Sequence, residues 1–142
     1  MTGSTGFIGR HLVDSLEGIH NIIPLSRRDG IDLSTDEAYG QVETEIDCVV
    51  HLAANTSISD SFDRPKEFIE ENLKLVRCAA RFAKVNKVKL FLYTNTYPYG
   101  NPDYMPIDES HRLDAPTPYH ESKILGEKYL LDCFKDSSTK LF

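Results

Sequence analysis

A chain of 142 residues is long enough for one domain with a real core, and 40% hydrophobic with 27% charged residues is ordinary for a soluble globular protein. The formal net charge of -6 argues against a general nucleic-acid binder, whose footprint would be basic, and confines any anionic ligand to locally positive groups. No apolar run is long enough to span a bilayer and no charged-then-apolar leader opens the sequence, so no membrane partner and a cytoplasmic location are expected. Cys48, Cys78 and Cys133 are odd in number and far apart, match neither a zinc nor a disulfide spacing, and are expected as buried free thiols.

Thr2–Gly9 reads Thr-Gly-Ser-Thr-Gly-Phe-Ile-Gly, with glycines at 3, 6 and 9, and runs into the helix-spaced apolar series Phe7, Ile8, Leu12, Val13 and Leu16. A tight turn feeding a helix N-terminus presents free N–H groups to a diphosphate. Gly3 permits the turn, Gly6 the approach of the phosphates and Gly9 close helix packing. Only Met1 precedes Thr2, where a doubly wound sheet needs its central strand. The turn is therefore expected to be poorly held, with on the order of several kcal/mol lost to exposed apolar surface.

Gly18 is placed to end the first helix, and Ile22-Ile23-Pro24-Leu25 reads as a second strand that Pro24 pushes toward a sheet edge. Ser34 with Glu37 forms a capping box, predicting a helix from Thr35 to about Gln41. Asp47–Ala54 is an unbroken apolar strand suited to a parallel sheet, and Asn55–Ser61 a polar loop. Asp63 and Pro65 start a long helix whose apolar face runs Phe68, Leu75, Val76, Ala79, Phe82 and Ala83. Val88–Tyr93 is the next strand. Pro98 to Pro118 holds five prolines among aromatic anchors and reads as a long ordered or substrate-facing loop. Tyr119 to about Asp136 is helical, and Thr139–Phe142 is a strand that is cut off. Strand alternating with helix predicts an α/β doubly wound parallel sheet with ligands at the carboxyl ends of its strands.

Tyr119 and Lys123 are four apart on a helix, so phenol and ammonium share a face. A nearby cation favours a phenolate and suits it to acid/base work. Asn72 faces the apolar side of the long helix, where a buried amide needs partners. His51 reads as a strand-end packing residue. Arg27 and Arg28 stand at the end of the second strand, where an acidic residue binds the ribose of NAD and an arginine accommodates the phosphate of NADP.

In these residues the sequence resembles the extended short-chain dehydrogenase/reductases of the nucleotide-sugar epimerase and dehydratase type. The matching stretches are Thr2–Gly9, His51–Ala54, Asn72, Thr94–Gly100, Pro106–Glu109, Tyr119–Lys123 and Gly126-Glu127. The resemblance implies a Rossmann-like, three-layer α/β/α domain binding NAD or NADP, with Arg27 and Arg28 leaning toward NADP. Its cofactor-binding positions are Gly3, Thr5, Gly6, Phe7, Ile8, Gly9, Ser26, Arg27, Arg28, Asp32, Leu33, Leu52, Ala53 and Ala54, with Tyr119 and Lys123. It makes Tyr119 the acid/base. Lys123 orients the ribose and lowers the tyrosine pKa, and Asn72 relays protons to the lysine. A threonine binds the reacting oxygen: the strand alignment favours Thr96, and spacing to Tyr119 leaves Thr94 open. The family's dehydratases carry an acidic pair after that threonine, where this sequence has Tyr97-Pro98, so an epimerase or keto-sugar reductase of a nucleotide sugar is expected. The alternative is a non-catalytic NAD(P)-binding sensor, against which the Tyr119–Lys123 pair argues. Family members run about twice this length, so residues 1–142 are expected to be one incomplete domain, lacking most of the first strand and the substrate domain. Alone, the chain is expected to be inactive; the full-length relative is expected to be a homodimer.

Overall fold

The computed structural model describes residues 1–95 and 98–142. Its frame is a parallel sheet. β1 (Cys48–His51) pairs with β2 (Leu90–Tyr93) from Cys48↔Leu90 to His51↔Tyr93, and β2 pairs with β3 (Lys140–Leu141). On the other edge of β1 the ladder continues through Met1–Gly3. Thr2 N–H donates to Val50 O at 2.9 Å and Leu52 N–H to Thr2 O at 3.2 Å. Beyond that segment, Leu25 N–H donates to Met1 O and Gly3 N–H to Leu25 O, both at 2.9 Å. The order across the sheet is thus Leu25, Thr2, β1, β2, β3. The poorly held glycine turn expected from the sequence is corrected: Met1–Gly3 is fastened on both edges.

That order settles where the helices go. α1 (Phe7–Leu16) links Thr2 to Leu25, stepping away from β1, whereas α4 (Pro65–Val85) links β1 to β2, stepping the other way. Both crossovers are right-handed only if the two helices cover opposite faces. α4 and α5 (Pro118–Phe134) close one face over Val49, Phe91, Val76, Ala79, Ala80, Ala83, Leu130 and Phe134. α2 (Glu37–Gly40) joins them, with Tyr39 stacked on Phe82 at 5.3 Å and Asp36 bonded to Arg81 at 2.8 Å. On the α1 face Cys48, Val50, Leu90 and Leu92 stay half-buried, and α1 itself buries only Gly9.

Several expected elements are shorter or different. Ile22–Leu25 contributes only a bridge at Leu25, since Pro24 has no N–H and the neighbouring segment is three residues long. The strand over Asp47–Ala54 pairs with β2 only from Cys48 to His51, while Leu52 and Ala53 stay bonded to Thr2. The capping box fails because the Ser34 hydroxyl and N–H both go to Asp32 Oδ1, at 2.7 and 3.0 Å, so α2 starts at Glu37 with no side-chain cap. The polar loop contains α3 (Ile58–Asp63), capped by Ser57 accepting from Asp60 N–H. Of the three free thiols only Cys78 is buried; Cys48 and Cys133 are half-exposed.

α4 starts as the sequence predicts, with Pro65 in its first turn; α5 starts one residue earlier than expected, at Pro118, with Thr117 capping it by accepting from His120 N–H. The 98–117 loop is ordered by its own contacts. The Tyr104 ring lies 3.8 Å from the buried His111 ring, Tyr104 O–H donates to Asp108 at 2.7 Å, and Asp114 N–H donates to Pro98 O at 2.7 Å. Among the described residues no helix is long and apolar enough to cross a membrane.

Candidate functional site

At the carboxyl ends of the strands lies a cavity of about 730 Å³. Its walls include Gly3, Thr5, Gly6, Phe7, Ile8, Gly9, Ser26, Arg27, Arg28, Asp32, Leu33, Leu52, Ala53, Ala54, Asn72, Thr94, Tyr119 and Lys123. Every site residue expected from the sequence is among them except Thr96, which lies outside the described residues. Asn55 and Thr56, of the polar segment after β1, line it as well, and Ser34, Glu71, Lys74 and Leu75 do so without having been foreseen. Glu71, Lys74 and Leu75 were within reach of sequence reasoning, because with Asn72 they form one helical face.

The glycine turn is built for close approach. Gly3 has φ +70°, and an added Cβ would sit 2.8 Å from Ala53 N, so the loop after β1 rests directly on it. Gly6 N–H donates to Gly3 O at 3.0 Å and takes the N-cap position of α1 in extended geometry, with no side-chain cap. The first-turn N–H groups of α1 therefore face the cavity without an internal acceptor from a side chain, which fits a diphosphate. Across the cavity, the Thr5 hydroxyl bonds the Ser26 hydroxyl, Ser26 Oγ accepts from Arg28 N–H at 3.1 Å, and Arg28 Nη1 donates to Thr5 O at 3.3 Å. These bonds tie the 3₁₀ turn Arg27–Asp29 to the glycine loop. Asp32 is held below the usual carboxylate range, first by the Ser34 hydroxyl and N–H and less by Lys74 and Arg27.

Asn72 is a clamp. Its Oδ1 accepts from Asn55 N–H at 2.8 Å, and its Nδ2 donates to Asn55 O at 3.1 Å and to Ser122 Oγ at 2.9 Å. Ser122 Oγ in turn donates to Tyr119 O at 2.7 Å. The loop after β1, α4 and the Tyr119–Lys123 turn of α5 are thereby joined. Tyr119 sets its ring edge-on against Phe68, with centroids 6.5 Å apart. Lys123 is buried, and burial pulls its ammonium down to about 8, opposed by Glu127. Glu127 also accepts from Asn95 Nδ2 at 2.7 Å, which anchors the chain just after Thr94.

Under this wall His51 is fully buried between Phe91 and Tyr93, with Nδ1 2.9 Å from Thr2 Oγ1. Burial, then the Lys123 ammonium, holds its imidazole down at about 3. The unfolded chain takes up the proton near pH 6.5 and the native one does not, so stability falls on acidification through that window. Between pH 6.5 and 5 the expected loss is about 2 kcal/mol in urea unfolding. His51→Phe should flatten that slope; an unchanged slope would assign the loss to other groups.

The sequence pattern of the NAD dependent epimerase/dehydratase family matches residues 1–141. A putative UDP-glucose 4-epimerase of Methanocaldococcus jannaschii is 29% identical over 150 residues, covering 92% of this chain and 48% of that protein. The UDP-glucose 4-epimerase of Thermus thermophilus, solved with NAD, superposes with a TM-score of 0.88 at 24% identity, covering 99% of this chain and 51% of that one. RMD from Pseudomonas aeruginosa, solved with NADPH, gives a TM-score of 0.82 at 26% identity over 98% of this chain and 50% of that one. The chain spans about half the length of the curated relatives it matches. With glycine turn, clamp and Tyr119–Lys123 face in place along one cavity, and the family pattern running over nearly its whole length, this chain belongs to the NAD dependent epimerase/dehydratase family.

Proposed function

We propose that this chain is the dinucleotide-binding half of a nucleotide-sugar epimerase or keto-sugar reductase, with Tyr119 as the acid/base. The observation that carries the reading is the single cavity in which the cap-free α1 terminus, the Arg27–Leu33 turn and the Tyr119–Lys123 face meet. The diphosphate belongs at Gly3–Gly9 and the adenosine at Arg27, Arg28, Asp32 and Leu33. Asp32 Oδ1 is taken by Ser34, which leaves Oδ2 to accept from the adenine amine. NAD or NADP would supply the hydride chemistry there, and the protein supplies binding and proton transfer. Tyr119 exchanges a proton with a sugar oxygen, Lys123 holds positive charge beside it and bonds the ribose, and Asn72 fixes the segment that carries both. The hydroxyl that binds the reacting oxygen is assigned to Thr96, with Thr94, which lines the cavity with Tyr119, as the alternative; Thr94→Val and Thr96→Val compared in the full-length enzyme separate the two threonines. With about half the relatives' length, the chain is expected to bind the dinucleotide weakly and to turn over no UDP-sugar. Turnover abolished by Tyr119→Phe would overturn that expectation of inactivity.

The two guanidinium groups favour NADP, though relatives are known with NAD and with NADPH. Calorimetric titration of the chain should give NADP⁺ about tenfold tighter binding than NAD⁺, or about 1.4 kcal/mol. The preference should vanish in Arg27→Ala/Arg28→Ala. Equal affinities before and after the change sink the arginine argument; binding of neither sinks the dinucleotide reading itself.

A further inference from the structure

Tyr93, the last residue of β2, meets Lys123 in two ways. Lys123 Nζ lies 4.0 Å from the Tyr93 ring centroid, and Tyr93 O–H donates to Lys123 O at 3.2 Å. The ring also stacks on His51, with centroids 6.1 Å apart and planes within 19°. Gly126 makes room for it, since an added Cβ there would sit 2.5 Å from the Tyr93 hydroxyl oxygen. An ammonium in this buried place has lost water, and among the described residues it forms no ion pair; the Glu127 carboxylate one turn on is engaged by Asn95. Besides the Glu127 charge, the negative potential in direct contact with it is the face of the Tyr93 ring, a cation–π contact that gains strength where water is excluded.

We propose that Tyr93 is the positioning residue of Lys123: its ring face seats the ammonium at the cavity wall and keeps it charged there, with neutral His51 stacked beneath as the base of the seat. The proposal deepens the reading of Lys123 as the cation that serves Tyr119 and the dinucleotide, and rests on it for its function. A protonated imidazole behind the ring would repel the ammonium, so burial of His51 is part of the same arrangement. The groups facing Lys123 are Tyr119 and Glu127 on α5, Tyr93 on β2 and His51 on β1, with Glu71 and Lys74 of α4 lining the same cavity. Because burial already draws Lys123 toward neutrality, a seat that favours the charged form matters in the ordinary pH range.

The test replaces Tyr93 in the full chain with phenylalanine, 4-fluoro-, 3,5-difluoro- and 3,4,5-trifluorophenylalanine, a series of near-constant shape and falling negative charge on the ring face. The readout is the titration midpoint of Lys123, from the pH dependence of its amine-acylation rate followed by mass spectrometry. The phenylalanine variant is expected to keep the native midpoint. The trifluoro variant is expected to lower it by about one unit, which is about a fivefold higher labelling rate at pH 7. A midpoint constant across the series overturns the seat, as does a shift already complete at phenylalanine, which would belong to the hydroxyl bond. No cofactor enters this measurement. Failure to bind NAD⁺ or NADP⁺ would remove the functional reading and leave the series intact; a flat series would do the reverse.

Discussion

Gly9→Ala should abolish dinucleotide binding and lower stability by about 3 kcal/mol or more. A Cβ on Gly9 would penetrate Gly3 O and stand 2.7 Å from Ser4 O. Both are backbone atoms of the turn, so no rotamer change relieves the overlap. Spreading the turn would move Gly3, whose N–H is bonded to Leu25 O, and so would strain the ladder that holds Met1–Gly3 in the sheet. The first-turn N–H groups of α1 would then lose their common aim at the diphosphate. Gly18→Ala sets the scale. Gly18 has φ +77° with nothing within 4 Å of an added Cβ, so its replacement carries only the left-handed penalty of about 1 kcal/mol. Urea unfolding and calorimetric titration of both variants make the comparison. A Gly9 variant no less stable than the Gly18 variant would refute the packed turn.

Lys123→Met is expected to stabilise the chain by about 2 kcal/mol at pH 7 while removing dinucleotide binding. In the native fold burial sets the Lys123 pKa at about 8, against about 10.5 when unfolded. At pH 7 both states carry the proton, and the native state carries the penalty of a buried charge, about 3 kcal/mol, which loss of the ring contact in the variant partly offsets. Between pH 8 and 10.5 the unfolded chain binds the proton more than the native one does, so native stability rises with pH through that window. The methionine variant has no such rise. Unfolding at pH 7 and pH 9.5 reads both effects, and a variant less stable than the native chain at pH 7 would contradict the account. A cation kept where it destabilises the fold is the behaviour expected of a functional group.

Signals confined to a few neighbouring residues were legible in the sequence. The 3.6-residue period of α4, its first-turn Pro65, the glycine triad and the four-residue spacing of Tyr119 and Lys123 all carry into the fold. Readings failed where two local options competed or where a partner came from far along the chain. Ser34 could bond Glu37's turn or Asp32, and the carboxylate two residues back won. Ser57 capped α3 inside a stretch that composition alone marks as a loop. Pro24 limited pairing more severely than a sheet-edge position implies. Tyr93 looked like one more strand aromatic, because its meeting with Lys123 and Gly126 depends on how α5 crosses β2.

Asn72 bonds residues 17 and 50 positions away, and β1 meets β2 between Cys48 and Leu90. Such separations give a parallel α/β chain slow folding, because loop-closure entropy must be met before the contacts that offset it can form. No contiguous piece of the sequence contains the cavity in embryo: its walls come from the glycine turn, the segment from Ser26 to Ser34, the loop after β1, α4 and α5. The Asn55–Asn72–Ser122 clamp is complete only when the loop after β1, α4 and α5 have all met. The binding cavity is therefore a product of completed assembly, and its appearance during refolding dates the moment at which the whole domain has come together.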